Sequence, residues 1–507
     1  MTHLVWFKRD LRVTDHKPLY EATKRGRVIC LYILEPEMLK SSEFHPAHQI
    51  FINQSLRELR AELKSLGANL TLRGGEAVEV LDALVKERQV THLWAHEETG
   101  SYLSYLRDIR VRAWAKRLNL PFTELPQGGV VRRLETRDGW AKQWQRRMQQ
   151  PVTPTPERLE GVPGLKHRRI PSLKTLGLPE SEMSLAPKGG ESVAEELLES
   201  FLYGRGQHYR AEMSSPVTAF ESCSRLSAYL TWGNISLRQI YRATQDRRDE
   251  LKESRDPQEK GWLASLASFQ SRLRWHDHFI QKLEDEPGLE FYNSNRGFDG
   301  LRDSQPDPLR FDAWTEGQTG YPMVDACMRS LKKTGWLNFR MRAMVTSFAS
   351  YHLWLHWRPT GLYLAKHWID AEPGIHWSQM QMQSGVTGIN SVRIYSPRKQ
   401  VEDQDPQGLF IREWVPELRD VPDAYLAEPH TMPELVQGMS GCIVGKDYPA
   451  PIVDPKTAYH EARTKMRDAK RSAEVKAEKD RVLERHGSRA NPNQRGRMQR
   501  RWLEQAS

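Results

Sequence analysis

The sequence predicts a doubly wound α/β domain followed by an all-helical domain. Short apolar runs alternate with amphipathic helical segments up to about residue 128, which is typical of a parallel sheet covered by helices on both faces. From Glu195 onward, apolar residues recur at helical spacing almost throughout. At 507 residues, the chain is long enough for two or three domains, each with its own core.

The first half of the chain carries short apolar runs that we interpret as buried strands. These runs are HLVWF (3–7), VICLYIL (28–34), NLTLRG (69–74), THLWAHE (91–97) and PFTELP (121–126). Amphipathic segments lie between them, and the longest, at 48–67, ends on a glycine that suits a helix C-terminus. No dinucleotide-binding glycine motif or P-loop follows the first run, so neither chemistry is expected there.

We divide the chain into four parts. An α/β domain covers 1–130, and a proline-rich connector over 131–195 crosses the surface to a helical domain at 196–430. The remainder, 431–507, is a charged extension, predicted to be partly helical and partly disordered. Its arginine-rich end after Ser488 is either a solvated tail or a segment that contacts nucleic acid.

Composition limits the classes of protein to consider. The formal net charge of +10 favours a polyanionic partner, although surface solubility alone explains such a charge equally well. The four cysteines are scattered without a C-x-x-C pair, which argues against a disulfide framework or a zinc site, and we expect no metal. No apolar run reaches transmembrane length. We therefore expect a cytoplasmic protein without a membrane partner, present as a monomer.

The segment from Trp314 to Leu418 is the part of the chain richest in aromatic residues. It mixes tryptophan, arginine and acidic residues at helical spacing, in a chain with 16 tryptophans. A stripe of this kind is most often a packed core. Helices that enclose a large planar cofactor are the alternative, and periodicity alone does not choose between the two.

Four separated motifs carry a resemblance to a known family. They are VWFKRDLRVTDHKPL (5–19), SRLSAYLTWGNIS (224–236), WTEGQTGYPMVDACMRSLKKTGW (314–336) and DPQGLFIREWVPEL (405–418). In this order they resemble the photolyase/cryptochrome flavoproteins over roughly residues 3–420. The resemblance implies an antenna-type α/β domain, a helical domain that binds FAD, and DNA containing ultraviolet lesions as the partner.

The resemblance also implies which residues bind the cofactor. The phosphate-binding positions of the family match Ser224, Arg225, Leu226 and Ser227. A helix N-terminus stabilises a pyrophosphate there, although an ordinary serine cap has the same sequence. The other cofactor positions match an ion pair beside the isoalloxazine ring, a tyrosine near the adenine or phosphates, and two residues after the pair: Arg342 with Asp370, Tyr209, Glu372 and His376.

Several positions depart from the pattern of common bacterial photolyases. His376 replaces the asparagine that faces the flavin N5, and an imidazole titrates near neutrality. A different register would bring Trp377 or Ser378 to the ring instead. The DNA-contact positions match Arg272, Trp275, Arg340 and Met382. Of these, Trp275 keeps the aromatic ring that stacks on the lesion, whereas Met382 replaces a second tryptophan and Arg272 replaces an acid.

The electron-supply chain of the family departs as well. Three tryptophans normally lead from the surface to the flavin, and here the middle one matches Trp357. Met380 stands at the flavin-proximal position and Ser304 at the distal one. Another route, or simple packing, explains the remaining tryptophans of this region: Trp336, Trp354, Trp368 and Trp377. The candidate catalytic residues are therefore Trp357, His376 and Trp275.

The resulting prediction is a light-driven, FAD-dependent DNA photolyase, a carbon–carbon lyase, with a second, antenna chromophore of open identity. A cryptochrome-like blue-light photoreceptor that signals through its C-terminal extension is the alternative. A nucleic-acid-binding protein without photochemistry is a third class. An iron–sulfur cluster is not expected, because the cysteines of the helical half, Cys223, Cys327 and Cys442, are too widely spaced.

Overall fold

The structure, a computed structural model, describes residues 1–165, 168–254, 256 and 259–487, without the side chain of Lys260. The arginine-rich segment predicted after Ser488 lies outside these residues.

The first domain is built on one parallel sheet. Its strands are β1 Thr2–Phe7, β2 Arg27–Leu34, β3 Leu70–Gly74, β4 Val90–His96 and β5 Phe122–Leu125. They lie in the order β3-β2-β1-β4-β5, and every neighbouring pair is parallel. The helices that connect or precede them are α1 Lys17–Thr23, α2 Pro36–Leu39, α3 Pro46–Ser65, α4 Ala77–Arg88 and α5 Tyr102–Arg117.

The central strand β1 explains why an unbroken apolar run predicted a strand. Leu4, Val5, Trp6 and Phe7 are all buried, because helices cover both faces of a parallel sheet. The strand order reverses between β1 and β4, so the chain leaves these two neighbouring strands in opposite directions and opens a crevice at their carboxyl ends.

The loop that follows β1 joins the two domains. Val13 and Thr14 donate their backbone N–H groups to the Glu191 carboxylate at 2.7 and 2.9 Å. Asp15 pairs with Arg238 of the helical domain at 3.1 Å. Since these groups are buried and hydrogen-bonded, the loop anchors the first domain to the helical domain.

The predicted connector contains a helix. Within 131–195, α6 covers Trp140–Met148 and buries Trp140, Trp144 and Met148. Their spacing of four residues places all three on one face. The indole N–H of Trp144 donates to Asp277 at 2.8 Å, so this part of the connector packs into the helical domain.

The second domain is helical throughout its described residues. Its helices run from α7 Glu191–Tyr203 to α20 Asp423–Leu426. Between these lie α8 Tyr209–Glu212, α9 Ala219–Ser222, α10 Ser227–Thr231, α11 Leu237–Glu253, α12 Lys260–Asp285, α13 Pro308–Glu316, α14 Pro322–Thr334, α15 Phe339–Ser347, α16 Trp357–His367, α17 Pro373–Ser384, α18 Pro397–Gln404 and α19 Leu409–Trp414. The predicted fold class, a doubly wound α/β domain followed by a helical domain, is confirmed.

The aromatic segment of the sequence forms the centre of this domain. Trp314, Trp357 and Trp377 are fully buried in its core, together with Phe348 and Tyr351. A π-helical turn over Phe348–His352 ends α15. The aromatic segment therefore forms part of the hydrophobic core of the helical domain.

The C-terminal extension packs on the helical domain. Its helices are α21 Glu434–Ser440, α22 Pro455–Arg471 and α23 Ala473–His486. Asn295 donates its amide to the carbonyl of Val475 at 2.9 Å, and Arg481 donates to the carbonyl of Ser294 at 2.6 Å. His486 lies 2.6 Å from the Glu286 carboxylate. These contacts hold α23 against the turn after α12.

Among the described residues, none of the helices combines the length and apolarity that a membrane span requires.

Candidate functional site

A two-bond ion pair lies at the centre of the helical domain. Arg342 on α15 donates from Nη1 and Nη2 to the two carboxylate oxygens of Asp370, at 2.9 and 2.7 Å. Its Nε donates to the carbonyl of Leu337 at 2.7 Å, and Trp368 lies under the guanidinium at 4.1 Å. The fork geometry of arginine fixes both side chains in one orientation.

A cleft of about 340 Å³ opens beside this pair. Arg225, Ser227, Trp336 and Asp370 lie along its wall. The Arg225 guanidinium lies 3.9 Å above the Trp336 ring and 4.5 Å above Phe220. Within the described chain none of the N–H groups of Arg225 has a hydrogen-bond acceptor, and burial lowers its pKa to about 10. Asp370 acts on Arg225 electrostatically without a hydrogen bond, so the N–H groups of this partly buried arginine remain available to an anionic ligand.

The predicted phosphate motif begins the short helix α10. Ser224 accepts a hydrogen bond from the Leu226 N–H at 3.5 Å, and Leu226 is buried. Arg225 has a φ of +61°, which turns the chain sharply before Ser227. The first N–H groups of a helix have no partner within that helix, so this turn presents amide donors next to the Arg225 guanidinium.

Tyr209 belongs to a neighbouring aromatic cluster. Its ring centroid lies 5.6 Å from that of Phe201 and 5.9 Å from that of Phe269. Burial raises its pKa to about 12, so the phenol keeps its proton at neutral pH. Arg272 of α12 lies close enough to act on it electrostatically, so this cluster includes one of the predicted DNA-contact residues.

Glu372 faces the interface between the domains. One carboxylate oxygen accepts a hydrogen bond from Arg9 at 2.9 Å, and the residue lines a crevice with Lys8, His96 and Asp277. Its other oxygen, Oε1, is buried and has no partner in the described chain. Burial raises the pKa of this carboxyl. The residue thus has one oxygen held by Arg9 and one open to a donor.

His376 lies on α17 within electrostatic reach of Arg342 and Asp370. Its Nε2–H donates to the carbonyl of Gly361 at 2.9 Å. Burial lowers its pKa to about 4, so the imidazole is neutral at pH 7. With the proton on Nε2, the lone pair of Nδ1 is available as an acceptor.

A basic and aromatic surface, called the rim below, is formed by Phe339, Arg272 and Arg340 with Trp275 nearby. Phe339 is 41% exposed, with the guanidinium of Arg272 at 4.9 Å and that of Arg340 at 5.4 Å from its ring. Arg340 also lies 5.9 Å from the Tyr395 ring. Neither arginine forms an ion pair with a described residue. One turn along α12 from Arg272, Trp275 is 39% exposed.

Two of the sequence-predicted positions lie away from these contacts. Trp275 packs edge-on against His278 and tilted against Phe279, at 5.1 and 5.7 Å. Met382 is half-buried in the last turn of α17, a helix that packs against α12. The structure therefore packs the two helices that carry these residues against each other.

Trp357 is buried next to Trp377, with ring centroids 5.8 Å apart. Its indole N–H donates to Asn293 at 2.7 Å. Met380, at the position where the family places a tryptophan, lies 3.7 Å from the Thr346 hydroxyl through its sulfur. The fold thus places the Trp377 ring against Trp357.

Comparison with known proteins gives a consistent result. The family described as "DNA photolyase" matches residues 3–152, and the family described as "FAD binding domain of DNA photolyase" matches residues 269–468. A cryptochrome DASH of Gloeobacter violaceus is 32% identical over 479 residues, covering 89% of this chain and 93% of its own length. The chain belongs to the photolyase/cryptochrome family.

Further relatives agree with this assignment. The deoxyribodipyrimidine photo-lyase of Escherichia coli is 30% identical over 481 residues, covering 90% of this chain and 96% of its own length. The crystal structure of a bacterial class III photolyase from Agrobacterium tumefaciens superposes with a TM-score of 0.82 at 27% identity, covering 93% of this chain and 98% of that one. The predicted family and cofactor, FAD, are both confirmed.

Three polar groups of this photolyase/cryptochrome protein suit an FAD molecule. Arg225 has no hydrogen-bonded anion in the described chain, although Asp370 lies within electrostatic reach. Glu372 Oε1 is a buried acceptor without a donor there, and His376 Nδ1 is an open acceptor. The pyrophosphate of FAD would supply an anion to Arg225, and the N–H edge of the flavin would supply a donor to Glu372 Oε1. Arg225 and His376 lie within electrostatic reach of both Arg342 and Asp370, and Glu372 follows Asp370 by two residues.

A buried cluster of Asp10, His16 and His96 has the composition of a metal site. Both imidazoles contact one Asp10 oxygen, at 3.0 and 2.8 Å. His16 accepts the Leu19 N–H at Nδ1, so its proton resides on Nε2 and points at Asp10. A metal at Nε2 would require that proton to leave while Nδ1 still accepts. The cluster is therefore an internal hydrogen-bond network.

Sequence reasoning missed several residues of the site. Trp368 supports Arg342, and Phe269 packs on Tyr209. Both lie within three residues of a residue that was predicted, so aromatic neighbours of the motifs were the available signal. Arg9, which holds Glu372, lies within the first motif (5–19), but its pairing with a residue 363 positions away could not be read from that motif.

Proposed function

We propose that this protein is a light-driven, FAD-dependent DNA photolyase that repairs ultraviolet pyrimidine lesions. Bound and reduced FAD supplies, on excitation by light, one electron that splits a pyrimidine dimer and then returns. The observation that supports the proposal is a basic and aromatic surface: Trp275 is an exposed ring, one turn along α12 from Arg272, and neither Arg272 nor Arg340 has an ion-pair partner in the described chain.

The residues that would hold FAD divide by the charge they offer. Arg225 and the amides at Ser227 suit the pyrophosphate. Arg342 and Asp370 would fix the ring, and Glu372 would accept from its N–H edge. His376, neutral at pH 7 with Nε2–H committed to Gly361, would offer Nδ1 as an acceptor to a protonated ring nitrogen.

The rim suits a DNA strand from which a damaged base pair has turned outward. Arg272 and Arg340 supply positive charge for phosphates, and contacts of this kind hold any sequence equally. Trp275 supplies a stacking surface, which suits bases that have left the duplex. Phe339 separates the two guanidiniums and keeps them apart by packing.

A second, antenna chromophore would occupy the cleft between the domains. This cleft, of about 150 Å³, is lined by aromatic and apolar side chains that include Tyr32, Phe44, Ile52 and Trp232. A planar aromatic ring suits such walls.

Ser41→Trp tests this site, because the indole ring would fill the cleft. We expect it to remove any second chromophore released by heat from the purified protein, with the FAD content unchanged.

The activity is tested with purified protein and damaged oligonucleotides. The absorption spectrum is recorded first, and the protein is then incubated with cyclobutane-dimer and (6-4) oligonucleotides under blue light and in darkness. Light-dependent loss of one lesion supports the proposal and identifies the lesion. Bound FAD without repair of either lesion, as single strand or duplex, refutes it.

A matched variant separates binding from folding. Trp275→Ala removes an exposed ring, so we expect normal FAD content and unfolding midpoint but weaker binding of the damaged oligonucleotide. Repair by Trp275→Ala equal to that of the wild type would place the lesion elsewhere.

A cryptochrome-like photoreceptor is the second candidate, favoured by the packing of α22 and α23 on the helical domain. If light releases these helices, hydrogen exchange in 455–486 should accelerate under blue light and recover in darkness. Exchange that is independent of light in this segment removes the candidate.

A further inference from the structure

Arg9 of the first domain contacts the candidate FAD site across the domain interface. It lies two residues after the end of β1, and its Nη2 donates to Glu372 Oε2 at 2.9 Å. Its Nε donates at 2.8 Å to the carbonyl of Thr231, which ends the short helix that begins at the phosphate motif. One guanidinium therefore joins two segments of the site that are far apart along the chain.

The loop that carries Arg9 is held by contacts other than the one to Glu372. Gln127 donates its amide to the Arg9 carbonyl at 3.1 Å, and a Cβ atom on Gly233 would overlap that carbonyl. The guanidinium lies 5.5 Å from the centre of the Trp232 ring, and the side chain is only 17% exposed. Since Arg9 is already oriented, little conformational entropy is lost when it orients Glu372.

Glu372 depends on Arg9 to compensate its charge. Burial raises the pKa of the Glu372 carboxyl, Arg9 and His276 lower it, and Glu98 and Asp277 raise it. His276 itself lies 3.0 Å from Asp277, so its attraction is shared with another acid. Within the described ranges of the chain, Arg9 alone forms an ion pair with Glu372.

The charge of Glu372 decides what its second oxygen can do. An ionised carboxylate only accepts hydrogen bonds, whereas a protonated carboxyl also carries an O–H donor. Oε1 is buried and has no partner in the described chain. A buried carboxylate that loses its cation takes up a proton more readily. A protonated Glu372 opposite a ligand N–H group would place two donors against each other.

We propose that Arg9 is a positioning residue of the FAD site that acts through Glu372. It orients the carboxylate and keeps it ionised, so that Oε1 accepts a hydrogen bond from the N–H edge of the flavin. This inference rests on the proposed function, in which that edge of FAD meets Glu372. The first domain therefore contributes a side chain to the binding of a cofactor that the helical domain holds.

A purely structural role at the domain interface is the competing explanation. The Asp15–Arg238 pair, at 3.1 Å, joins the same loop to the helical domain. Arg238 forms its ion pair with Asp15 and none with Glu372 among the described residues. Loss of Arg238 should therefore weaken the interface without changing the protonation of Glu372, which makes Arg238→Gln the comparison for a structural role.

The test measures FAD release from the intact holoprotein as a function of pH. Arg9→Gln removes the charge and keeps an amide donor for the Thr231 carbonyl. From about pH 9 to about pH 6, its FAD dissociation constant should rise at least about tenfold as Glu372 takes up a proton. The wild type should change by less than about threefold. His376, with a pKa of about 4, does not titrate in this range.

Three further variants separate charge from structure. Arg9→Lys keeps the charge without the fork, so it should bind FAD more weakly with the flat pH profile of the wild type. Arg238→Gln should lower the unfolding midpoint with a flat profile. Arg27→Gln, which removes an exposed ion pair of the same domain, should change neither.

A flat profile in Arg9→Gln overturns the proposal, and so does an equal pH dependence in Arg238→Gln. If Arg9→Gln is recovered without FAD at every pH, Arg9→Lys decides the question. FAD retained by Arg9→Lys with a flat profile supports the role of the charge, and its loss at every pH overturns that role.

A double-mutant cycle tests whether Arg9 acts through Glu372. Glu372→Gln cannot ionise, so it should bind FAD more weakly at every pH. In this background Arg9→Gln should change the FAD dissociation constant by less than about twofold, because the two residues act as one unit. Independent, additive losses from the two substitutions overturn the proposal.

Repair keeps this inference separate from the proposed function. Absence of light-dependent repair in every FAD-loaded protein, with the release results as expected, contradicts the proposed function and leaves the role of Arg9 intact. Wild-type FAD affinity in both Glu372→Gln and Arg9→Gln overturns the role of Arg9 and the placement of the flavin edge at Glu372, whereas light-driven repair can still be observed.

Discussion

Arg342 and Asp370 join two helical-domain segments through paired hydrogen bonds of 2.9 and 2.7 Å. Trp368 closes one face of the guanidinium at 4.1 Å, and the Asp370 side chain is only 4% exposed. A charge pair of this burial is stable only while both partners remain. The pair therefore both orients the side chains of the site and contributes to the stability of the domain.

Asp370→Asn should destabilise the protein by about 1–3 kcal/mol, because it leaves the half-buried Arg342 guanidinium with a neutral partner. Urea unfolding of the holoprotein measures this change, and the ratio of flavin to protein absorbance measures FAD retention. We expect FAD retention to fall in the same variant. Glu402→Gln, which removes a solvent-exposed ion pair with Arg398, is the control and should change neither quantity.

His376 should make the protein sensitive to acid. The unfolded chain binds a proton on this residue near pH 6.5, whereas burial in the folded chain lowers the pKa to about 4. Between these values unfolding takes up a proton, so stability is fully present above about pH 6.5 and falls as the pH drops, by at most about 1.4 kcal/mol per pH unit.

His376→Asn removes this proton uptake. Urea unfolding at pH 7 and pH 5 should show a smaller loss of stability in the variant than in the wild type. His430→Asn, at an exposed position, should behave as the wild type. An equal acid sensitivity of His376→Asn and the wild type would contradict a neutral, buried imidazole at this position.

Arg340 should contribute one phosphate contact to DNA binding. Arg340→Gln is expected to reduce the slope of log affinity against log salt by about 1, equally for damaged and undamaged DNA. Fluorescence anisotropy between low and moderate salt measures the slope. Arg398→Gln, which removes an exposed arginine of α18, is the matched charge control, and an identical slope change in both variants would show that only net charge matters.

Gly297 should be essential for the docking of α23. A Cβ atom there would lie 2.4 Å from the Val475 nitrogen and 2.6 Å from the Glu474 carbonyl carbon. Because these are backbone atoms, the helix must move, and overpacking of this kind destabilises by about 1–3 kcal/mol. Gly297→Ala should therefore accelerate hydrogen exchange over 473–486.

Gly438→Ala is the control for this prediction, because nothing lies within 4 Å of a Cβ at that helical position. It should leave exchange in 473–486 unchanged and stabilise α21 by up to about 1 kcal/mol. If exchange over 473–486 were as slow in Gly297→Ala as in the wild type, the result would contradict the close contact between α23 and the turn at Asn295.

The sequence by itself determined where strands and helices follow one another along the chain. The buried strand Thr2–Phe7 and the long helix α12 followed from apolar runs and periodicity, which are set by neighbours a few residues apart. The motif at 224–227 indicated an anion site only through the resemblance, because a helix N-terminus with a serine cap has the same local sequence. Arg342 and Asp370 were predicted as a pair through the resemblance, and the structure pairs them.

Only the tertiary structure decided which distant residues meet. Arg9 holds Glu372 across 363 positions, Asn293 accepts from Trp357, and α23 packs on the turn at Asn295. The helix carrying Trp140 and Trp144 lies inside a stretch whose prolines predicted a surface connector. The physical reason is that periodicity reports one face of one element, whereas the partner of that face depends on how all the elements pack together.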